Sequence, residues 1–155
     1  MFDDRDNAVN LRMTPIDLDR DGNPRDGKLC AAMQVYAEKE FGHQLSVIFY
    51  RRLWVVEAWK EEDPEFSVVM GIAALRETMD CQIFHVTAPT ADRDGVRLAH
   101  QARDLMVFRL HSYLSDIGLR GAQVLIYVSE QAERLWAHFF QKSKITKANR
   151  YSIQI

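Results

Sequence analysis

Phe66-Ser67-Val68-Val69-Met70-Gly71-Ile72-Ala73-Ala74-Leu75, followed after Arg76-Glu77-Thr78-Met79-Asp80 by Cys81-Gln82-Ile83-Phe84-His85-Val86-Thr87, is the stretch on which the reading of this chain turns. Both apolar pieces are rich in Val, Ile and Ala, and polar residues part them, so they read as two strands paired antiparallel around the Glu77–Asp80 turn. Upstream, Leu53 to Trp59 has the same character and is separated from Phe66 by Glu61-Glu62-Asp63-Pro64-Glu65, a turn by composition. Three consecutive antiparallel strands follow from this.

Working outward, Pro89 to Asp94 is a polar loop ahead of a long helical pattern. Ala99, Ala102, Met106, Leu110, Tyr113 and Ile117 fall on one face, and Gly118 supplies the stop. Ala122 to Val128 is nearly continuously apolar, as a strand covered on both faces must be, which predicts an interior place in the sheet. Ala132, Leu135, Trp136, Phe139 and Phe140 mark a second amphipathic helix, and Tyr151 to Ile155 alternates as a closing strand. Toward the other end, Val9, Leu11 and Met13 alternate as a half-buried strand. Asp17 to Gly27 is crowded with turn residues, and Leu29, Met33, Tyr36 and Phe41 recur at near-helical spacing up to Gly42. Leu45 to Tyr50 is a short apolar run that fits either a strand or a helix.

No repeat or Pro/Ser linker divides the 155 residues, so residues 1–155 are expected to form one domain with one well-filled core. Twenty basic residues face 22 acidic ones, which leaves no global field to draw nucleic acid or an anionic membrane. No run reaches the roughly 18 apolar residues of a membrane span, and the polar, acidic start is unlike a signal peptide, so a cytoplasmic location is expected. Cys30 and Cys81 make no CxxC or Cys/His spacing, which predicts no zinc site and fits a reducing compartment.

The element order, a three-strand meander feeding a long helix and a buried strand, resembles the GNAT (N-acetyltransferase) superfamily over nearly the whole chain. The resemblance implies an α/β fold with a mixed, mainly antiparallel sheet and helices on both faces. It also implies a site for acetyl-CoA or another acyl-CoA, whose pyrophosphate rests on backbone N–H groups at the start of the long helix. The family motif there is Gln or Arg, two residues, Gly, one residue, then Gly or Ala. Counting back from Gly118 by the usual helix length sets Arg97-Leu98-Ala99-His100-Gln101-Ala102 against it, with Arg97 and Ala102 matching and His100 in place of the central glycine. A second register uses Gly95 in Asp92-Arg93-Asp94-Gly95, among carboxylates that repel pyrophosphate.

On this resemblance Thr87, Arg93, Gly95, Arg97, Ala99 and Ala102 are the cofactor-binding candidates. His85 is the candidate base for an amine attacking the thioester, and Tyr127 a replacement proton donor for the thiolate, with Tyr151 a second. In the next helix, read as Glu130 to Ile145, Phe139 or Phe140 stands where the family carries its acid Tyr, and Lys144-Ile145 replaces Gly-Phe. The implied activity is acyl-CoA-dependent N-acyl transfer. Similar domains with degenerate motifs also occur among tailed-phage proteins, where they resemble structural or virion-associated components. On that branch the partner is a homo-oligomer or a larger protein assembly, and the location the virion.

Each candidate has a plainer alternative. The plainer reading, preferred on the residues alone, makes His85 a half-buried strand histidine with its nitrogens on backbone groups, and Tyr127 and Tyr151 core packing. Asp17-Leu18-Asp19-Arg20-Asp21-Gly22 reproduces the first half of an EF-hand loop, yet position twelve is Lys28 where a bidentate Glu is needed, so a solvated acidic turn is expected. His100 and His111 lie about three turns apart on one helix, too far to share a metal. Lys142, Lys144, Lys147 and Arg150 form a local basic segment, read as a solvated helix end. Trp54, Trp59 and Trp136 are read as core or interface anchors.

Overall fold

The computed structural model describes residues 9–47, 50–76, 81–86, 92–118, 123–127, 141–142 and 150–154. Among these, nine elements follow one another: β1 (Val9–Ile16), α1 (Gly27–Phe41), β2 (Tyr50–Lys60), β3 (Asp63–Arg76), β4 (Cys81–Val86), α2 (Arg93–Asp116), β5 (Gln123–Tyr127), β6 (Gln141–Lys142) and β7 (Arg150–Gln154). The strands form one mixed sheet in the order β1-β2-β3-β4-β5-β7-β6. β4 and β5 run parallel, and the other neighbours are antiparallel. A parallel pair needs a crossover, and α2 lies between β4 and β5 in the chain to supply it.

The meander reads from composition as it folds: β3 pairs antiparallel with β4, Ile72 opposite Phe84 and Leu75 opposite Cys81, while the Glu77–Asp80 turn lies outside the described residues. β2 begins at Tyr50, three residues before the expected Leu53, so the ambiguous run ends in strand. β3 begins at Asp63, because Asp63 pairs with Lys60 across a tight turn at 61–62. The apolar Ala122–Val128 run yields β5, in the interior between β4 and β7.

One expectation needs correction. The helix read over Glu130 to Ile145 does not extend through its later part, because Gln141 and Lys142 pair with Ser152 and Tyr151 as strand β6. The ladder to β7 supplies backbone partners there that a helix end would lack. Residues 128–140 and 143–149, and with them Trp136, Phe139, Phe140, Lys144 and Lys147, lie outside the described residues.

Two apolar clusters, one on each face, hold the helices to the sheet. Met33, Tyr36 and Ala37 of α1 pack on Leu53, Val55, Ile72 and Ala74, whereas Leu98, Ala102, Met106, Leu110 and Leu114 of α2 pack on Trp54, Val56, Met70, Ala73 and Leu75. The period-2 alternation of β2 and β3 thus feeds both cores from the same strands. Both helices stop where the sequence predicts. Gly42 and Gly118 take left-handed φ of 81° and 82°, a conformation that costs a side-chain-bearing residue about 1–2 kcal/mol. Beyond α1, the Gln34 amide clamps Leu45 by both of its atoms, donating from Nε2 to the carbonyl (2.6 Å) and accepting the backbone N–H at Oε1 (2.7 Å).

Two bulges meet at Gly71. Val56 pairs with Gly71 and Glu57 with Val69, so Met70 is an extra residue in β3, and Tyr36 donates its hydroxyl to the Met70 carbonyl at 3.0 Å. On the other side Gly71 pairs with Val86 and Ile72 with Phe84, so His85 is the extra residue of β4. An extra residue bends its strand and sharpens the local twist.

Candidate functional site

The carboxyl end of β4 and the start of α2 frame the site that the sequence points to, since ligands of open sheets collect beyond the carboxyl ends of parallel strands. α2 runs 24 residues, longer than the usual length used in counting back from Gly118, and begins at Arg93. The first N–H groups of an α-helix lack an acceptor of its own, and the first helical bond here is from Val96 N–H, so within α2 the donors left without a helical acceptor are those of 93–95. Ala99 and Ala102 lie one and two turns further in, on the face buried against the sheet, and Arg97 is exposed and pairs with Asp94 at 3.5 Å. Of the two registers, that with Gly95 coincides with the helix start.

The N-terminus is already served by the chain. Asp92 is the N-cap: its carboxylate accepts from Gly95 N–H at 2.9 Å and its carbonyl from Val96 N–H at 3.1 Å. A carboxylate there is stabilised by the helix dipole, as an incoming pyrophosphate would be. Arg93 is exposed and Gly95 buried. The arginines at 93 and 97 favour an anion, and the carboxylates at 92 and 94 oppose it. The residues present therefore fit a pyrophosphate only in part.

The two candidates for proton transfer are brought to one level of the sheet by their backbones. Tyr127 pairs in register with Phe84, the neighbour of His85, at the last described rung of the parallel ladder, and His85 itself is the bulged residue. Thr87 lies outside the described residues.

On the α1 face the structure assembles a polar cluster that periodicity does not pick out. Arg12 on β1 stands directly opposite Glu57 on β2, and its Nε donates to the Glu57 carboxylate at 3.2 Å. Ser67 of β3 donates its hydroxyl to the other carboxylate oxygen. Glu57 is only 4% exposed, and the Arg12 guanidinium carbon sits 5.4 Å from the centre of the Trp59 ring. Arg12, Glu57 and Ser67 line an open groove of about 520 Å³ that the start of α1 borders with Asp26, Lys28 and Leu29. The available signal was a lone carboxylate in the apolar run Leu53-Trp54-Val55-Val56-Glu57-Ala58.

Elsewhere, Cys30 is buried in α1. Desolvation, and secondarily the Asp26 carboxylate, push its thiol above the ordinary range, away from nucleophilic use. On α2, the buried Arg103 bonds His100 Nδ1 at 2.9 Å and Asp104 at 3.0 Å. Among the described residues no group of three or more His, Cys, Asp or Glu side chains is placed to hold a metal.

The acidic turn at Asp17–Gly22 is closed on itself. Asp19 Oδ1 accepts from the N–H groups of Asp21 and Asn23, each at 2.9 Å, and Leu18 bridges Pro24. Lys28, at the twelfth position, belongs to α1. Sub-millimolar calcium is expected to leave the melting temperature unchanged, because a ligand binding only the native state must raise it. A calcium-dependent rise in a thermal melt would overturn this.

No family model matches the chain, and no curated protein or solved structure matches it either.

Proposed function

We propose that this chain is a GNAT-like domain of the acyl-CoA-dependent N-acyltransferase kind, with weak cofactor capture at the β4–α2 junction. The observation that carries the reading is the sheet order, in which the single parallel pair among the described strands, β4 and β5, is bridged by a long helix starting beyond the end of β4. The bulge at His85 supports it further, since an extra residue at a strand end re-aims the backbone where a substrate would lie. In this reading His85 takes the proton of the attacking amine and Tyr127 stands in for the missing acid.

One observation favours a second reading, a catalytically inactive GNAT-fold component acting through protein–protein contacts in a structural or virion assembly. Asp92 occupies with its own carboxylate the Gly95 N–H, one of the donors that a pyrophosphate would need. Calorimetric titration with acetyl-CoA separates the two. The expected dissociation constant is weaker than about 100 μM, or less than roughly 5.5 kcal/mol of binding. Ser caps helices about as well as Asp but without charge, so Asp92→Ser is expected to tighten binding about tenfold while the fold persists. Failure of the variant to bind at all would leave the inactive reading standing. Where turnover is measurable, His85→Ala should lower it without changing cofactor affinity.

A further inference from the structure

The groove over β1, β2 and β3 is distinct in its residues from the β4–α2 junction, and we propose that it binds a small zwitterion of the amino-acid class. The ligand's ammonium would sit on Glu57, its carboxylate on Arg12 and Lys28, and its apolar part against Leu29 and Phe66. The inference stands apart from the acyl-CoA reading.

A buried carboxylate is costly unless something compensates it, and the compensation here is incomplete in a directed way. Each Glu57 oxygen accepts one protein hydrogen bond, from Arg12 and from Ser67, while an ionised carboxylate offers about four acceptor positions in all. The remaining capacity belongs to a side chain that lines an open groove. Arg12 meets Glu57 with Nε, and its stacking on Trp59 orders the guanidinium. Its terminal N–H groups have no protein acceptor among the described residues. A planar fork with free donors is the group best suited to a carboxylate.

Lys28 breaks a local rule. It lies in the first turn of α1, where the helix dipole disfavours a cation, two residues after the N-cap Asp26, whose carboxylate lines the same groove. Lys28 borders the same groove as Arg12 and so brings a second cation to it. Phe66, 69% exposed, lies on that groove too, so an apolar wall stands beside the paired charges. The groove's volume of about 520 Å³ is within the range that small-molecule sites occupy. A ligand with only one charge would satisfy one side of this arrangement and leave the other unmatched.

The test uses the whole chain, calorimetry and three probes that differ by one charged group: L-phenylalanine, 3-phenylpropanoate without the ammonium, and phenethylamine without the carboxylate. L-phenylalanine is expected to bind at least about tenfold more tightly than either analogue. Glu57→Gln should weaken L-phenylalanine and leave 3-phenylpropanoate unchanged. Lys28→Gln, at an exposed helix position, should weaken L-phenylalanine and 3-phenylpropanoate and spare phenethylamine, which keeps the test open if Glu57→Gln fails to fold. Equal affinity for the three probes, absence of heat with L-phenylalanine at about 10 mM, or unchanged affinity in Lys28→Gln would each overturn the proposal. Acetyl-CoA titrated separately reports on the other site, so failure of one reading is distinguishable from failure of the other.

Discussion

Trp54→Ala is expected to destabilise the protein by about 3–5 kcal/mol, the range for emptying a buried aromatic site. Trp54 is buried in the α2-side core, and its ring meets Tyr113 edge-on, with centroids 5.0 Å apart and planes at 75°. The Arg52 guanidinium carbon lies 5.6 Å from each of those two ring centres, and its Nε has no hydrogen-bond partner among the described residues. The rings thus provide the favourable surroundings of a half-buried cation, and truncation removes both the apolar contact and one of them. At about 2–4 °C per kcal/mol for a chain of this size, the melting temperature should fall by roughly 6–20 °C. Trp54→Phe keeps a ring in place and should lose far less. A thermal melt in which Trp54→Ala shifts by less than about 2 °C would remove Trp54 from the core account.

Ala102→Leu is the second large effect, and it bears on function as well as packing. Ala102 is fully buried, on the α2 face pressed to the sheet, and the added carbons have to displace side chains in a close-packed cluster. A loss of about 1–3 kcal/mol is expected. Were Ala102 instead a wall of an open cofactor cradle, the larger side chain would block acetyl-CoA and leave stability nearly unchanged. Chemical denaturation and acetyl-CoA titration of the same variant distinguish these results: a lower midpoint with unchanged weak binding supports the packing role.

Legibility in the sequence followed the type of signal. Gly42 and Gly118 end their helices because a left-handed residue is a local requirement, visible one residue at a time. The meander was legible because Val68 to Leu75 and Cys81 to Val86 are apolar beyond what a surface loop tolerates. The start of α2 was harder, because it rests on a single capping carboxylate among several acidic neighbours, and Asp92 is no more conspicuous in sequence than Asp94. The bulges at Met70 and His85 leave no mark in composition, since they come from fitting strands of unequal reach across a twisted sheet. The Arg12–Glu57–Ser67 cluster joins residues 45 and 10 positions apart, and only the strand register brings them together.

Pro15 has a bearing on aggregation. It lies within β1, the outermost strand on its side of the sheet, opposite Trp54, and proline has no N–H to give a neighbouring chain. At the opposite margin, among the described residues, β6 pairs over two residues. A margin interrupted by proline is a poor template for lateral growth into fibrils. At the β1 margin, open-ended strand addition by a further copy is therefore disfavoured at Pro15.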